Sequence, residues 1–573
     1  MRFPEILSNH RLAIFLAFLV ATIVASPQIY FRYQSKNTYQ GIDLANTPEE
    51  KFYLARIQEA KEGHFNLSGS FFKEGKKDPY LQPPLGEILV ALLGKIFFLN
   101  LNNNILLARL LFSFLAFLLV YAFALLVSKK RLIALSSSTA VFLSDVLISR
   151  QGFFRFLKIL KGESPTTNFL NFSRPVHPQI DFLFFFSFLT LFWLFYTKKH
   201  WHWGILSVLV LGLSFYVYPY LWIFLYAFLG IFLLILFFQK KWAEIKRIIF
   251  ISLLGILIGI PYFLNFYKLI SHPNFADLFN RLELIETRQP FLPLLAPILL
   301  IIFLVLFPKE PRERYFFFLA LILTPFLVYN QQLITGRDIQ PFHFWFYFHV
   351  PLAIIILMVI LFSLFPRNFV KLKKVFSLLI IIFSIWTGII IQRGSYEEHK
   401  IQALETQRYG PILEWLNKNT QKEEVVFSDP EISNLIPIYT SLNVFYATPP
   451  DYLAASKERL IDVVFLFYRL EGLEGEKASE TFLKDRAEIS GRIFGVYWRE
   501  KKGDFGAISD EILYSLSYQY QDFLKIPLDK ILTKYNIKYV IWDNQNYPNW
   551  FLDRYPPLRK VYEKGNIKIF EEI

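Results

Sequence analysis

The sequence predicts a polytopic α-helical membrane protein of about eleven transmembrane helices, with juxtamembrane helices on its outer face and a soluble α/β domain at its C-terminal end. Three observations predict it. Hydrophobic residues make up 54% of the 573, Phe alone occurs 64 times, and charged residues are only 19%, against about 25% in a typical soluble chain. The apolar residues gather into runs able to cross a hydrocarbon layer roughly 30 Å thick. Lys and Arg collect in short connections between alternate runs, where they orient membrane proteins.

The predicted spans are 11–31, 105–127, 132–149, 180–196, 203–217, 219–238, 248–267, 290–307, 315–329, 344–365 and 375–391. The connections 128–131, 197–202, 239–247, 308–314 and 366–374 are basic, so they are expected to face the cytoplasm. The run 84–100 breaks this alternation. It begins with Pro83-Pro84 and carries Glu87 and Lys95, so it is expected to lie on the outer surface. The N-terminus is then cytoplasmic. Residues 1–391 form a membrane domain with a first outer loop at 32–104, and residues 392–573 form an extracytoplasmic α/β domain. The expected location is the plasma (inner) membrane of a cell with a prokaryotic envelope. Cysteine is absent, which excludes disulfides and thiolate chemistry. The net charge of +14 serves orientation, and no nucleic-acid partner is expected.

In the first outer loop, Thr47 as N-cap, Pro48 and Glu50 predict a capping box that opens an amphipathic helix. Gly63 is expected to end it. Asp43, Glu49 and Glu50 are a dense acidic set near the membrane face. Glu49-Glu50-x-x-Tyr53, the small-residue helix ending in Gly63, and Pro83-Pro84-Leu85-Gly86 resemble the first outer loop of the GT-C membrane glycosyltransferases. Glu49 stands where that family usually has Asp. The layout resembles the family along the whole chain.

The resemblance implies a glycosyltransferase that moves a hexosyl or pentosyl group, with inversion, from a polyprenyl-phosphate donor to a lipid, glycan or protein acceptor on the outer face. Such a step needs a base at the acceptor hydroxyl, or a carboxylate holding a divalent metal ion against the leaving phosphate. Glu49, Asp43 and Glu50 are the candidates. Glu50 also answers to the capping box alone. In the second outer loop, Arg155, Arg174 and His177 lead to Asp181 at the start of a span. An ionisable group there is a functional candidate by default, and Asp181 resembles the family's second acid. Arg155 and Arg174 are expected to meet a lipid phosphate. Gln332, Arg337 and His343 form a later polar cluster beside aromatic residues, where Arg337 is a candidate contact for a lipid phosphate or a sugar.

In the C-terminal part, helices are predicted at 404–418, 456–470 and 508–534. Strands are predicted at Val425–Ser428 and Lys538–Trp542, with a hairpin at Arg559–Glu563 and Ile567–Glu571. Two other readings are a transporter or flippase of lipid-linked glycans, and a non-catalytic chain with the same layout. The first requires polar residues deep within several spans and broken helix pairs, for which Asp145 is the main candidate.

Overall fold

The computed structural model describes residues 3–45, 47, 49–163, 168–282, 284, 286–366, 368–447, 455–501 and 508–573. Among them, eight helices are long and apolar enough to cross a membrane: Asn9–Gln34, Leu101–Ser128, Gln179–Lys198, Pro219–Phe238, Trp242–Ile270, Arg312–Thr335, Phe342–Leu364 and Val370–Asn419. Three shorter apolar helices, Arg131–Leu143, Trp201–Tyr216 and Leu295–Leu306, occupy the other expected runs. A helix of 13 residues such as Arg131–Leu143 rises only about 20 Å, less than the hydrocarbon thickness. Every expected run is thus an apolar helix, but eight rather than eleven have the length of a span.

The order begins α1 (Phe3–Gln34), α2 (Glu50–Glu62), α3 (Leu85–Ile96), α4 (Leu101–Ser128), α5 (Arg131–Leu143), α6 (Arg150–Leu160) and α7 (Gln179–Lys198). It continues α8 (Trp201–Leu213), α9 (Pro219–Phe238), α10 (Trp242–Ile270), α11 (Phe275–Arg281), α12 (Leu295–Leu306) and α13 (Arg312–Val328). Two short turns, α14 (Gln332–Thr335) and α15 (Phe342–Phe344), precede α16 (Val350–Leu364) and α17 (Val370–Thr406). Helix α4 packs between α1, α5 and α7, and α5 against α16 and α17. The phenylalanine excess is spent here: Phe117, Phe142, Phe172, Phe182 and Phe186 are buried, and the Phe142 and Phe172 rings stack 3.9 Å apart. Aromatic pairs of this kind add about 0.5–1.5 kcal/mol beyond their area, a useful contact where lipid gives no hydrophobic drive to pack.

Lys129, Lys199, Lys241 and Arg314, from four of the five basic connections, line one hollow. These connections therefore meet at one end of the bundle. From Asp181 at the start of α7 to Lys199 just past its end is about 27 Å of helix, so Asp181 lies at the opposite end.

Helix α17 runs through residue 391 without a break to Thr406. The C-terminal sheet has the order β2-β1-β3-β5-β4, with β1 (Val425–Phe427), β2 (Asn443–Val444), β3 (Ile537–Asp543), β4 (Leu558–Lys564) and β5 (Ile567–Glu572). The first three are mutually parallel and the last two form the expected antiparallel hairpin. The predicted helices correspond to Gly410–Asn419, Lys457–Leu470, Asp510–Leu524 and Leu528–Lys534. The helix Pro430–Tyr439 packs on α2. The Tyr439 hydroxyl lies 3.3 Å from the Asp43 backbone N–H, and the Gln407 amide donates to the Ile42 carbonyl at 2.7 Å. The sheet domain is thereby docked on the first outer loop.

The capping box is not formed. Helix α2 starts at Glu50 with Glu49 as its N-cap and no side-chain cap. The carbonyl of Thr47, not its hydroxyl, takes the Glu50 N–H at 3.1 Å. The reason is that the Glu50 carboxylate turns inward to Arg109. Pro48 lies outside the described residues. Gly63 does end the helix, at φ 104°, with its N–H on the Ala60 carbonyl, a left-handed position that glycine occupies without strain.

Candidate active site

The site is built at the N-terminal end of α2. Consecutive residues on a helix point about 100° apart, so Glu49 and Glu50 serve different neighbours. Glu50 is buried and bonds the buried guanidinium of Arg109 on α4. Arg109 Nε also donates to the Ser173 carbonyl at 2.7 Å. The Ser173 hydroxyl is held by the Gln392 amide at 2.9 Å and donates to the Val24 carbonyl at 3.1 Å. Four segments thus pin the backbone of the second outer loop immediately before Arg174. A buried pair of this kind is costly to break, about 3–5 kcal/mol when one partner is removed, so Glu50 acts as a fastener of the loop.

Glu49 points outward and its side chain is 57% exposed. Its carboxylate lies 3.8 Å from the guanidinium of Arg174, itself 28% exposed. Arg174 also donates to the Tyr347 hydroxyl at 3.2 Å. Tyr347 first, then Glu49, raises the pKa of this guanidinium against the opposing effect of burial.

Beneath this open pair lies a buried polar scaffold. His177 Nδ1 is 2.8 Å from Asp181, the next turn of the chain, and both are buried. The Gln82 amide approaches His177 Nε2 at 3.4 Å. Both ring nitrogens are satisfied when Nδ1–H donates to Asp181 and Nε2 accepts. The ring stacks on Tyr218 at 4.3 Å and meets Tyr53 edge-on at 5.4 Å. The Tyr218 hydroxyl lies 2.7 Å from His343 Nδ1, and His343 stacks on Tyr220 at 4.4 Å. The Tyr220 hydroxyl donates to Gln340 at 2.8 Å. On the α3 side, buried Glu87 takes the Arg56 guanidinium at 2.5 Å. Gly86 lets α3 lie against the second outer loop: a Cβ there would stand 2.7 Å from Val176 Cγ1 and 3.8 Å from His177 Cε1.

Five of the sequence candidates, Glu49, Arg174, His177, Asp181 and His343, are therefore brought together. The other five lie in other networks. Asp43 is clasped by Arg32, with Nε at 2.8 Å, and by the Tyr39 hydroxyl at 2.7 Å. Glu50 is the buried fastener. Arg155 is exposed on α6. Buried Gln332 donates to the Gln289 carbonyl at 3.0 Å, and Arg337 pairs with Glu286 at 3.3 Å. Asp145 sits in a 3-10 turn after α5 and accepts from Asn171 at 2.8 Å. Sequence reasoning missed Gln82, Glu87, Arg109, Tyr218, Tyr220 and Tyr347.

Among the described residues, no group of three His, Asp or Glu side chains converges. The counter-charge beside Glu49 is a guanidinium, at 3.8 Å. This donor set does not fit a divalent metal ion, and the chemistry below uses the chain's own groups.

No family model matches the sequence, and no curated protein matches it. Among solved structures, the chain is similar to ArnT from Cupriavidus metallidurans bound to undecaprenyl phosphate, at 11% identity and TM-score 0.48, over 99% of this chain and 98% of that one. It is similar to the archaeal oligosaccharyltransferase AglB from Archaeoglobus fulgidus in complex with an inhibitory peptide and a dolichol-phosphate, at 13% identity and TM-score 0.48, over 95% of this chain and 70% of that one. A further structure of the Archaeoglobus fulgidus oligosaccharyltransferase, in complex with Zn and sulfate, aligns at 12% identity and TM-score 0.47, over 93% of this chain and 68% of that one.

Proposed function

We propose that the chain is a GT-C-like membrane glycosyltransferase that moves a sugar, a hexosyl or pentosyl group, from a polyprenyl-phosphate donor to an acceptor hydroxyl. The reaction takes place at the membrane face opposite the basic connections. That face is the outer one if those connections are cytoplasmic, with the N-terminus inside and the domain at 392–573 outside the plasma membrane. The observation that carries this reading is the Glu49–Arg174 pair: an exposed carboxylate and a partly exposed guanidinium from distant segments, 3.8 Å apart, on a buried scaffold.

The chemistry follows from the groups. Arg174 presents a planar donor fork suited to phosphate oxygens. An exposed ion pair is worth about 0–1 kcal/mol, so a phosphate displaces Glu49 from Arg174 at little cost. Glu49 is then free beside the bound donor. It takes the proton of the acceptor hydroxyl as the acceptor oxygen forms its bond to the anomeric carbon. The bond from that carbon to the phosphate oxygen breaks, and Arg174 stabilises the charge left on the phosphate. Attack opposite the leaving group inverts the anomeric carbon. His177, Asp181, Tyr218, His343 and Tyr347 are positioning residues that hold Arg174 and the floor of the site.

The test is sugar transfer by the full chain in lipid nanodiscs from a polyprenyl-phosphate sugar, comparing wild type with Glu49→Gln. Loss of transfer with retained binding of the donor lipid supports the reading. Full transfer by Glu49→Gln overturns it.

A further inference from the structure

At the end of the bundle opposite the candidate active site, a hollow of about 420 Å³ opens between the ends of α4, α7, α10 and α13. Its charged lining is Lys129, Lys199, Lys241, Arg314, Glu244 and Glu313, with Trp193 and Tyr196 as aromatic walls. Lys199 is taken by Glu244 at 3.3 Å. Lys241 meets the Tyr196 hydroxyl at 3.4 Å and its ring face at 6.0 Å, and it shares the field of Glu244 with Lys199. The Arg314 guanidinium lies 5.3 Å over the Phe307 ring, and its Nε is buried without a hydrogen bond. The Lys129 ammonium has no hydrogen-bond or ion-pair partner among the described residues. Four cations thus face the hollow against the two carboxylates of Glu244 and Glu313. Two helix C-termini and two helix N-termini meet there, so their dipoles largely cancel and the side chains decide the sign. Phe238, Trp242 and Leu306, at the helix ends beside Lys241 and Arg314, are exposed, as a lipid-facing rim would be.

We propose that this hollow binds a phosphate anion, presented as the headgroup of an anionic membrane lipid whose acyl chains lie against Phe238, Trp242 and Leu306. Four separate connections supply its cations, and a basic hollow between membrane helices at the headgroup level is the form such lipid sites take. The Arg314 Nε–H, buried and unpartnered in the wall, supplies a directed donor that a diffuse basic surface lacks. The proposal is independent of the glycosyltransferase reading.

The test is retention of phosphatidylglycerol by the full chain, counted by native mass spectrometry after extraction from nanodiscs of phosphatidylcholine with a minor phosphatidylglycerol fraction. Lys129→Gln, Lys241→Gln and Arg314→Gln are each expected to lower retention about fivefold, while Lys371→Gln on the connection outside the hollow leaves it unchanged. Lys129 is exposed, so Lys129→Gln keeps the test valid if Arg314→Gln unfolds. A second arm titrates inorganic phosphate. Failure of millimolar phosphate to displace the lipid identifies the headgroup as the ligand, and displacement shows that the site takes phosphate from either source. Equal retention in wild type and Lys129→Gln, or an equal fall in Lys371→Gln, overturns the proposal.

Discussion

Arg174→Ala is expected to separate lipid binding from folding. In the free chain the guanidinium makes one hydrogen bond to Tyr347 at 3.2 Å and one loose contact to Glu49 at 3.8 Å. The first contributes about 1 kcal/mol. The second, half in solvent, contributes about 0–1 kcal/mol. Truncation therefore costs the fold about 1–2 kcal/mol. A guanidinium on a phosphate makes charge-assisted bonds worth about 1.5–3 kcal/mol, so the same truncation weakens binding of a polyprenyl phosphate about 10- to 100-fold. Arg174→Lys keeps the charge and loses the fork, so it should recover part of the affinity. The assay is equilibrium binding of undecaprenyl phosphate to the full chain in nanodiscs, with thermal unfolding measured in parallel. Unchanged affinity in a folded Arg174→Ala protein would refute the reasoning.

Glu49→Gln should cost about 10²- to 10⁴-fold in kcat, the range of a lost general base, while undecaprenyl phosphate binds as well as or better than to wild type. Equal losses in binding and turnover would contradict that role. Arg109→Ala should destabilise the chain by about 3–5 kcal/mol by stranding Glu50 in the interior, with Arg109→Met combined with Glu50→Leu recovering much of it in denaturant melts. Gly86→Ala should push Val176, the residue before His177, aside, lowering kcat in an otherwise folded chain, and unchanged kinetics would show that the loop gives way freely. Burial, opposed by the Ile432 and Glu431 backbone N–H groups, raises the Asp429 carboxyl to about 6. The folded state then binds the proton more tightly than the unfolded state, so stability falls as pH rises from about 4 to about 6. The stability gained by Asp429→Asn should accordingly be near zero at pH 4 and about 2–3 kcal/mol above pH 7. A gain independent of pH would remove this carboxylate as its cause.

The bundle was legible because hydrocarbon thickness sets a length that composition alone reveals. The three short helices were not, because an apolar run does not say where its helix stops: Ser144-Asp145 ends the helix that begins at Arg131. In the site, Asp181 was legible as an ionisable group at the border of a span, Glu49 through the acidic set of the first outer loop, and Arg174, His177 and His343 as polar groups in later outer loops. The tyrosines were not. Tyr218, Tyr220 and Tyr347 at span ends look like any interfacial aromatic belt, and only the crossing of helices puts their hydroxyls against His343 and Arg174. The pairing of Glu50 also escaped, because a capping box explains the same residue by local chemistry. Arg109, a charge inside the second span, was the signal that marked its partner. Glu87 looked like a reason for α3 to lie at the surface, yet it is buried against Arg56.

The most direct measurement is a density map of the full chain in nanodiscs with undecaprenyl phosphate. The account predicts the phosphate about 3 Å from the Arg174 guanidinium, with Glu49 turned away from it and the prenyl chain leaving between the span ends. A phosphate bound only at the opposite end of the bundle, or remote from both residues, would contradict it.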